Sequence, residues 1–318
     1  VTAPLRGPGF AKLRQLADVV YDPWIEQTPL RIYSADQLAE RITTERAQIV
    51  VVESDSIKGP VFDLGLRAVA ATRGDPNNVD VAGATAAGVP VLYTPARNAD
   101  AVAEMTVALL LAATRQLLTA DSDVRSGNMF REGSIPYQRF RGWEIAGLTA
   151  GLVGLGAVGR ATAWRLSGLG LRVIAHDPYA DDATHSLDEL LAEADVVSLH
   201  APVTKDTVGM IGAGQFAAMR DGVVFLNTAR AQLHDTDALV EALRSGKVSA
   251  AGLDHFAGEW LPTDHPLTAM GNVVLTPHIG GATWNTEVRQ AQLVADDLAA
   301  LLSGGKPAHI VNPEVLGS

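Results

Sequence analysis

The sequence predicts an α/β protein: a doubly wound parallel sheet joined to a smaller α/β domain. Three observations predict it. Short, apolar, β-branched runs alternate with helical patterns along the chain. A glycine fingerprint, Gly154-Leu155-Gly156-Ala157-Val158-Gly159, follows one such run and opens a helical stretch. Four runs then end in or spill into chemically able residues: Val173–His176 into Asp177, Val223–Ala229 into Arg230, Ser249–Leu253 into Asp254 with Glu259 beyond, and Val273–Pro277 into His278. In a parallel sheet, ligands bind outside the carboxyl ends of the strands, so these distant residues can converge.

Taken in order, Ser34-Ala35-Asp36-Gln37 reads as a capping box that opens a helix to about Arg46. Ile49–Val52, Ala68–Ala71 and Val91–Tyr93 read as buried strands. Gly88-Val89-Pro90 closes a short helix. Asn98 is placed to cap a helix from Ala99 to about Leu118, apolar on most faces and so buried. Residues 127–142, with Arg131, Tyr137, Arg139 and Arg141 among Gly and Pro, read as an exposed connection. Strands follow at about 149–153, 171–176, 195–200, 222–227, 248–253 and 272–276, with helices at 158–168 and 186–193. A last helix, from about Thr286 to Leu302, can return to the first domain and make it discontinuous. The expected division is 1–97 with 288–318 for the substrate domain and 98–287 for the nucleotide domain.

A length of 318 residues suits two domains, and 47% hydrophobic with 19% charged residues is an ordinary soluble balance. With 25 basic and 36 acidic residues the net charge is −11, which argues against a nucleic-acid or anionic-membrane surface. The absence of cysteine excludes disulfides, thiolate metal sites and a cysteine nucleophile, and no metal is expected. Val1 to Phe10 lack the layout of a signal peptide, and Met105 to Ala113 is too short to span a bilayer. A cytoplasmic protein is the expectation.

The glycines have separate tasks. Gly154 permits the tight turn, Gly156 lets the backbone approach a pyrophosphate, and Gly159 lets helix and strand pack closely. The helix N-terminus at Ala157 and Val158 then offers free N–H groups and partial positive charge. Asp177, at the end of the next strand, can accept from both ribose hydroxyls and would repel a 2′-phosphate. Pro178-Tyr179 follow without a nearby Arg or Lys, which favours NAD over NADP.

Singly, Arg230, Glu259 and His278 each have a structural explanation as surface or turn residues. Together at strand ends they suit hydride transfer to a keto acid. Arg230 can hold a carboxylate and polarise the adjacent carbonyl. His278 can exchange a proton with the carbonyl oxygen, and Glu259 beside it would favour the imidazolium. Asp254 can accept from a nicotinamide amide or orient Arg230.

At this point the chain resembles the D-isomer-specific 2-hydroxyacid dehydrogenases. The matching segments are Gly151 to Gly159, Leu199-His200-Ala201-Pro202, Asn227-Thr228-Ala229-Arg230, Gly252-Leu253-Asp254 with Glu259, and Leu275-Thr276-Pro277-His278-Ile279-Gly280-Gly281. The likeness extends back through Asn78-Val79-Asp80 and Asn98 to Glu104. It implies Arg230 as substrate-binding residue, His278 as acid/base and Glu259 as its partner. It also implies cofactor contacts from His200, Ala201, Pro202, Thr207, Thr228, Ala229, Asp254 and Gly280. A flavodoxin-like discontinuous substrate domain, an interdomain active site and a homodimer through the Rossmann domain are implied as well. An NAD(H)-sensing, corepressor-like binding protein of the same fold is the alternative. Formate dehydrogenase is disfavoured, since its relatives carry Gln where Glu259 stands.

Three loops depart from the family's pattern. Glu53-Ser54-Asp55-Ser56 replaces a basic or small polar loop, and two carboxylates there would oppose a second anion such as that of 3-phosphoglycerate. Arg73-Gly74-Asp75-Pro76-Asn77 stands where a glycine-rich loop is usual, so Arg73 either binds an anion or pairs with Asp75. Trp260 follows Glu259 in place of Pro or Lys, as a cavity wall or rim cover; Trp143 and Trp284 are weaker wall candidates, read chiefly as core. Ser54, Arg73, Gly74, Asp75, Arg97 and Trp260 are therefore the substrate candidates.

Overall fold

In the computed structural model, which describes residues 1–131 and 133–317, the chain divides into two compact units, Val1–Arg97 with Thr283–Ser318, and Asn98–Ala282. Glu132, inside the expected connection, and Ser318, the last residue of the expected second segment, lie outside the described residues.

The first unit contains α1 (Gly7–Leu16), α2 (Ala35–Glu45), β1 (Ile49–Val52), β2 (Ala68–Ala71), α3 (Val81–Ala86) and β3 (Val91–Tyr93). The strands form a parallel sheet in the order β1-β2-β3. Successive side chains of a strand point to opposite faces, and both faces are covered. Val50, Val52, Val69 and Ala71 meet Leu38 and Ile42 of α2, while Val51, Ala68 and Ala70 meet Leu13 and the terminal helix Trp284–Leu302. That helix begins at its N-cap Thr283, so the whole of it belongs with this unit. It touches α1 backbone to backbone: a Cβ on Gly9 would lie 2.3 Å from the Gln292 nitrogen. Ser34 and Gln37 form the expected capping box.

The second unit contains α4 (Ala99–Thr114), α5 (Leu117–Arg125), α6 (Pro136–Arg139), β4 (Thr149–Val153), α7 (Ala157–Gly168), β5 (Arg172–His176), α8 (Leu187–Glu193), β6 (Val196–Leu199), α9 (Ala213–Ala218), β7 (Val223–Asn227), α10 (Thr236–Arg244), β8 (Val248–Leu253) and β9 (Val273–Leu275). The six strands are parallel in the order β5-β4-β6-β7-β8-β9. Val223 and Phe225 face Phe216, Leu239 and Leu243, whereas Val224 and Leu226 face Leu109, Leu110 and Leu166. Helices thus cover both faces, and the chain order reverses between β4 and β6, where open α/β sheets bind their ligands.

The helix expected from Ala99 to Leu118 is two helices. Gln116 takes a left-handed conformation, φ 51°, and α5 starts afresh after it. Asn98 makes no side-chain cap bond. As expected, α4 is a core helix: it lies so close to β8 that a Cβ on Gly252 would sit 2.8 Å from Leu109 Cβ. The connection over 127–142 carries the short α6, and Arg139 is anchored there on Asp123 at 2.8 Å. No single described helix is long and apolar enough to cross a membrane; α4 and α5 pass such a test only jointly, across a 65° bend.

Candidate active site

Strand register places the candidate residues. Val153 pairs with His176 and with Leu199, Leu199 with Asn227, Asn227 with Leu253, and Leu253 with Leu275. These six final residues form one row across the sheet. The next residues, Gly154, Asp177, His200, Thr228, Asp254 and Thr276, therefore leave it along a single edge.

At the switch point, Gly154 has φ 101°, and a Cβ there would meet the backbone of His200 and Ala201 at 2.6 Å. A Cβ on Gly159 would lie 2.2 Å from the Gly154 carbonyl oxygen. Gly156 differs: a Cβ there meets nothing within 4 Å, and no side chain caps the helix that it opens. This exposed, uncapped helix start is a cradle into which a phosphate fits. Asp177 accepts the N–H of Leu155 at 2.7 Å and that of Tyr179 at 2.9 Å, which ties the end of β5 to the glycine turn. The His200 ring is held by Ser198 at 3.0 Å, and burial pushes its pKa down to about 4, so it is neutral. Thr207 donates to the Pro202 carbonyl at 2.7 Å and so closes the turn after β6. The Thr228 hydroxyl is buried against Thr106 at 2.8 Å, so any ligand contact there falls to its backbone.

Beyond β7, Asn227 organises the turn that carries Arg230. Its Oδ1 accepts the Ala229 N–H at 3.0 Å and its Nδ2 donates to the Arg230 carbonyl at 2.8 Å. The Arg230 guanidinium is exposed and gives one N–H to the Ala229 carbonyl at 2.6 Å, leaving the rest of its fork open. Beyond β8 and β9, His278 Nδ1 lies 3.0 Å from Glu259 Oε1. Both residues have positive φ, 54° and 56°, a conformation that non-glycine residues rarely adopt and that clusters at functional sites. Asp254, 1% exposed, accepts from the Thr276 hydroxyl at 2.6 Å and from the Ile279 and Gly280 N–H groups at 2.9 and 2.7 Å. Three donors thus converge on one buried carboxylate that spans the His278 turn, and none comes from Arg230.

Sequence reasoning missed His255. It is buried, and its ring lies against that of His278 with centroids 3.8 Å apart. Its Nδ1 is 3.8 Å from Glu259 Oε1 and has no hydrogen-bond partner. Burial, and then the positive charges of His278 and Arg230, push its pKa down to about 4. Its place directly after Asp254 at a strand end was the available signal.

The loops of the first unit read differently from expectation. Glu53 is paired with Arg97 at 2.5 Å and accepts from Trp24 at 3.1 Å. Asp55 is fully buried, bonded to the Thr2 hydroxyl and the Tyr33 N–H. These carboxylates are internal ties of the loop around Ser54, not a free acidic surface, so they give no ground for excluding a second anion. Arg73 donates to the Glu53 carbonyl at 2.6 Å and to Asn77 at 2.7 Å, while Gly74 and Asp75 are exposed. Trp260 is 71% exposed. Trp143 and Trp284 are exposed rather than core, the latter under Arg6 at 4.1 Å.

The profile of the D-isomer specific 2-hydroxyacid dehydrogenase NAD binding domain matches residues 107–280. A glyoxylate reductase from Thermofilum pendens is 37% identical over 99% of this chain and 94% of its own length. The chain belongs to the D-isomer specific 2-hydroxyacid dehydrogenase family. Among solved structures, the TT0316 protein of Thermus thermophilus is 36% identical with a TM-score of 0.82, each chain covered to 98%. A family member from Lactobacillus delbrueckii, solved as its NAD complex, is 27% identical with a TM-score of 0.78, each chain covered to 96%. The protein is an NAD-dependent oxidoreductase of 2-hydroxy acids. The corepressor-like alternative is not favoured.

Proposed function

We propose that the protein reduces a small 2-keto acid of the glyoxylate class, with Arg230, His278 and Glu259 as its catalytic set. The carrying observation is the 3.0 Å contact between His278 and Glu259, on two turns of positive φ at the carboxyl edge of the sheet. The substrate class is supported by the Thermofilum pendens relative. NAD, when bound, supplies or takes up the hydride. Gly154, Gly156, Ala157, Val158 and Gly159 would hold its pyrophosphate, and Asp177 its ribose.

The remaining steps belong to the chain's own side chains. Arg230 binds the substrate carboxylate through its open N–H groups and draws charge toward the adjacent carbonyl oxygen. Glu259 engages His278 at Nδ1, which fixes the ring and leaves Nε2 as the nitrogen that exchanges a proton with that oxygen. In reduction His278 gives this proton; in oxidation it takes it back. Ser54, Arg73, Gly74, Asp75, Arg97 and Trp260 are assigned to substrate selection. A homodimer is supported by exposed Leu117, Leu118, Met129 and Phe130 along α5 and the segment after it.

The test is turnover of NADH with glyoxylate, pyruvate and hydroxypyruvate. Wild-type protein should reduce glyoxylate. His278→Ala should lower kcat by about 10²–10⁴-fold, and Arg230→Ala should raise KM and lower kcat. Near wild-type kinetics in both variants would sink the assignment.

A further inference from the structure

Among the described residues three imidazole nitrogens are buried without a hydrogen-bond partner: His200 Nδ1, His234 Nε2 and His255 Nδ1. Of these, His255 Nδ1 belongs to a cluster of possible metal-ligating atoms. It faces a carboxylate, and that carboxylate faces a second imidazole. We propose that His255 Nδ1, Glu259 Oε1 and His278 Nδ1 form a binding site for Zn²⁺ or a similar divalent transition metal, and that occupation of this site inhibits the enzyme.

Three observations carry the site. The donor atoms lie within 4.8 Å of one another, with Glu259 Oε1 3.0 Å from one nitrogen and 3.8 Å from the other. Ligands about 2.0–2.1 Å from a tetrahedral Zn²⁺ stand roughly 3.3–3.5 Å apart, so these spacings bracket the requirement. His255 is buried just past the end of β8, with its ring against that of His278. Glu259 is 56% exposed and His278 44%, which gives an ion a path in and lets both adjust. Two imidazoles and one carboxylate suit Zn²⁺, Co²⁺, Ni²⁺ or Cu²⁺, while the hard Mg²⁺ and Ca²⁺ want oxygen. Three protein ligands also leave a coordination position open.

Inhibition follows from the proton and rests on the reading of His278 as acid/base. In reduction His278 must start as an imidazolium. With a metal on Nδ1, the ring is a neutral ligand whose remaining proton, on Nε2, is held far more tightly. Glu259 is turned to the ion at the same time. The keto oxygen then finds no competent acid.

The experiment measures binding apart from turnover. Chelator-stripped full-length protein is titrated with ZnCl₂ by calorimetry and with CoCl₂ by visible absorption. The expected result is one equivalent bound, with a Co²⁺ d–d band. His255→Phe, which keeps a ring against His278, should weaken Zn²⁺ binding at least about tenfold. No uptake up to millimolar metal, or unchanged affinity in a folded His255→Phe, overturns the site. Should that variant not fold, Glu259→Gln replaces it, and unchanged affinity there overturns the site equally. Zn²⁺ should inhibit NADH-dependent reduction with EDTA restoring it. Stoichiometric binding without inhibition would keep the site and overturn the proton-transfer reading of His278.

Discussion

Asp254→Asn tests what holds His278 in place. The buried carboxylate accepts three donors, two of them the backbone N–H groups of Ile279 and Gly280 just after His278. Asparagine keeps the shape but has one accepting oxygen, and its NH₂ must face at least one of those donors. The change removes a charge-assisted hydrogen bond, typically ~1.5–3 kcal/mol, and strands a buried N–H, typically ~1–3 kcal/mol. These effects overlap, so a stability loss of ~2–4 kcal/mol is expected. The turn then has less to hold His278 at φ 54°, a conformation that costs on the order of 1–3 kcal/mol by itself. A shift of even 1 Å at a reacting group lowers rate on the order of 10²-fold. We expect kcat for NADH-dependent reduction to fall by about that factor, with the melting temperature lowered and KM for NADH little changed. If KM for NADH rises while kcat and stability hold, Asp254 binds the nicotinamide amide instead. A kcat within about threefold of wild type with unchanged melting refutes the positioning argument.

The glycine turn gives a paired prediction. Gly156→Ala should leave melting unchanged, because its Cβ enters open space, yet weaken NADH binding in fluorescence titration. Gly159→Ala, whose Cβ would lie 2.2 Å from a backbone oxygen, should weaken NADH binding and lower melting, the overpacking being worth ~1–3 kcal/mol; equal behaviour of the two variants would refute the geometry. Asp177→Ala should raise KM for NADH and narrow the preference over NADPH, since it removes both a ribose acceptor and the tie to Leu155; an unchanged NADH/NADPH ratio would exclude the role. His200, His234 and His255 have pKa values pushed down to about 4 by burial, so they fold neutral while the unfolded chain takes up protons below about 6.5. Stability is therefore full above pH 6.5 and lost as pH falls toward 4, by ~2 kcal/mol for each of His200 and His234 at pH 5 and by less for His255; melting that stays flat from pH 7.5 to 5 would refute this.

The strands of both sheets were legible because most are buried on both faces and read as continuous apolar runs. The runs at 49–52, 68–71, 91–93 and 248–253 are strands with those bounds. Helices α1, α9 and α10 were not legible. The last has a capping Asp235 and an apolar stripe of Leu239, Val240 and Leu243, yet it spans only nine residues, too few turns for a strong helical period. The break at Gln116 was invisible for another reason. Leu117 and Leu118 continue the apolar composition of α4, and only the tertiary course of the chain makes residue 116 adopt a left-handed turn.

The site shows the same division more sharply. The residues proposed for the chemistry are exposed, ionisable and placed past strand ends, which local pattern reveals: Arg230, Glu259, His278. The residues that hold them are buried, and their meaning lies in partners far along the chain. Asp254, a strand-end carboxylate, reads in sequence as an acceptor for the nicotinamide amide or as an orienter of Arg230; its three intramolecular donors come from residues 276–280, which no spacing rule links to it. Asn227 looked like part of a motif, and proves to be the brace of the Arg230 turn. Glu53 and Asp55 looked like a repelling surface, because charge in a sequence has no partner until the chain folds; one is paired with Arg97 and the other is sealed inside its own loop. Formal charge along a loop is therefore a weak guide to specificity. The electrostatic character of a substrate loop follows from which charges remain unpaired after folding, and on the nucleotide-binding unit the Arg230 fork is one positive group left open.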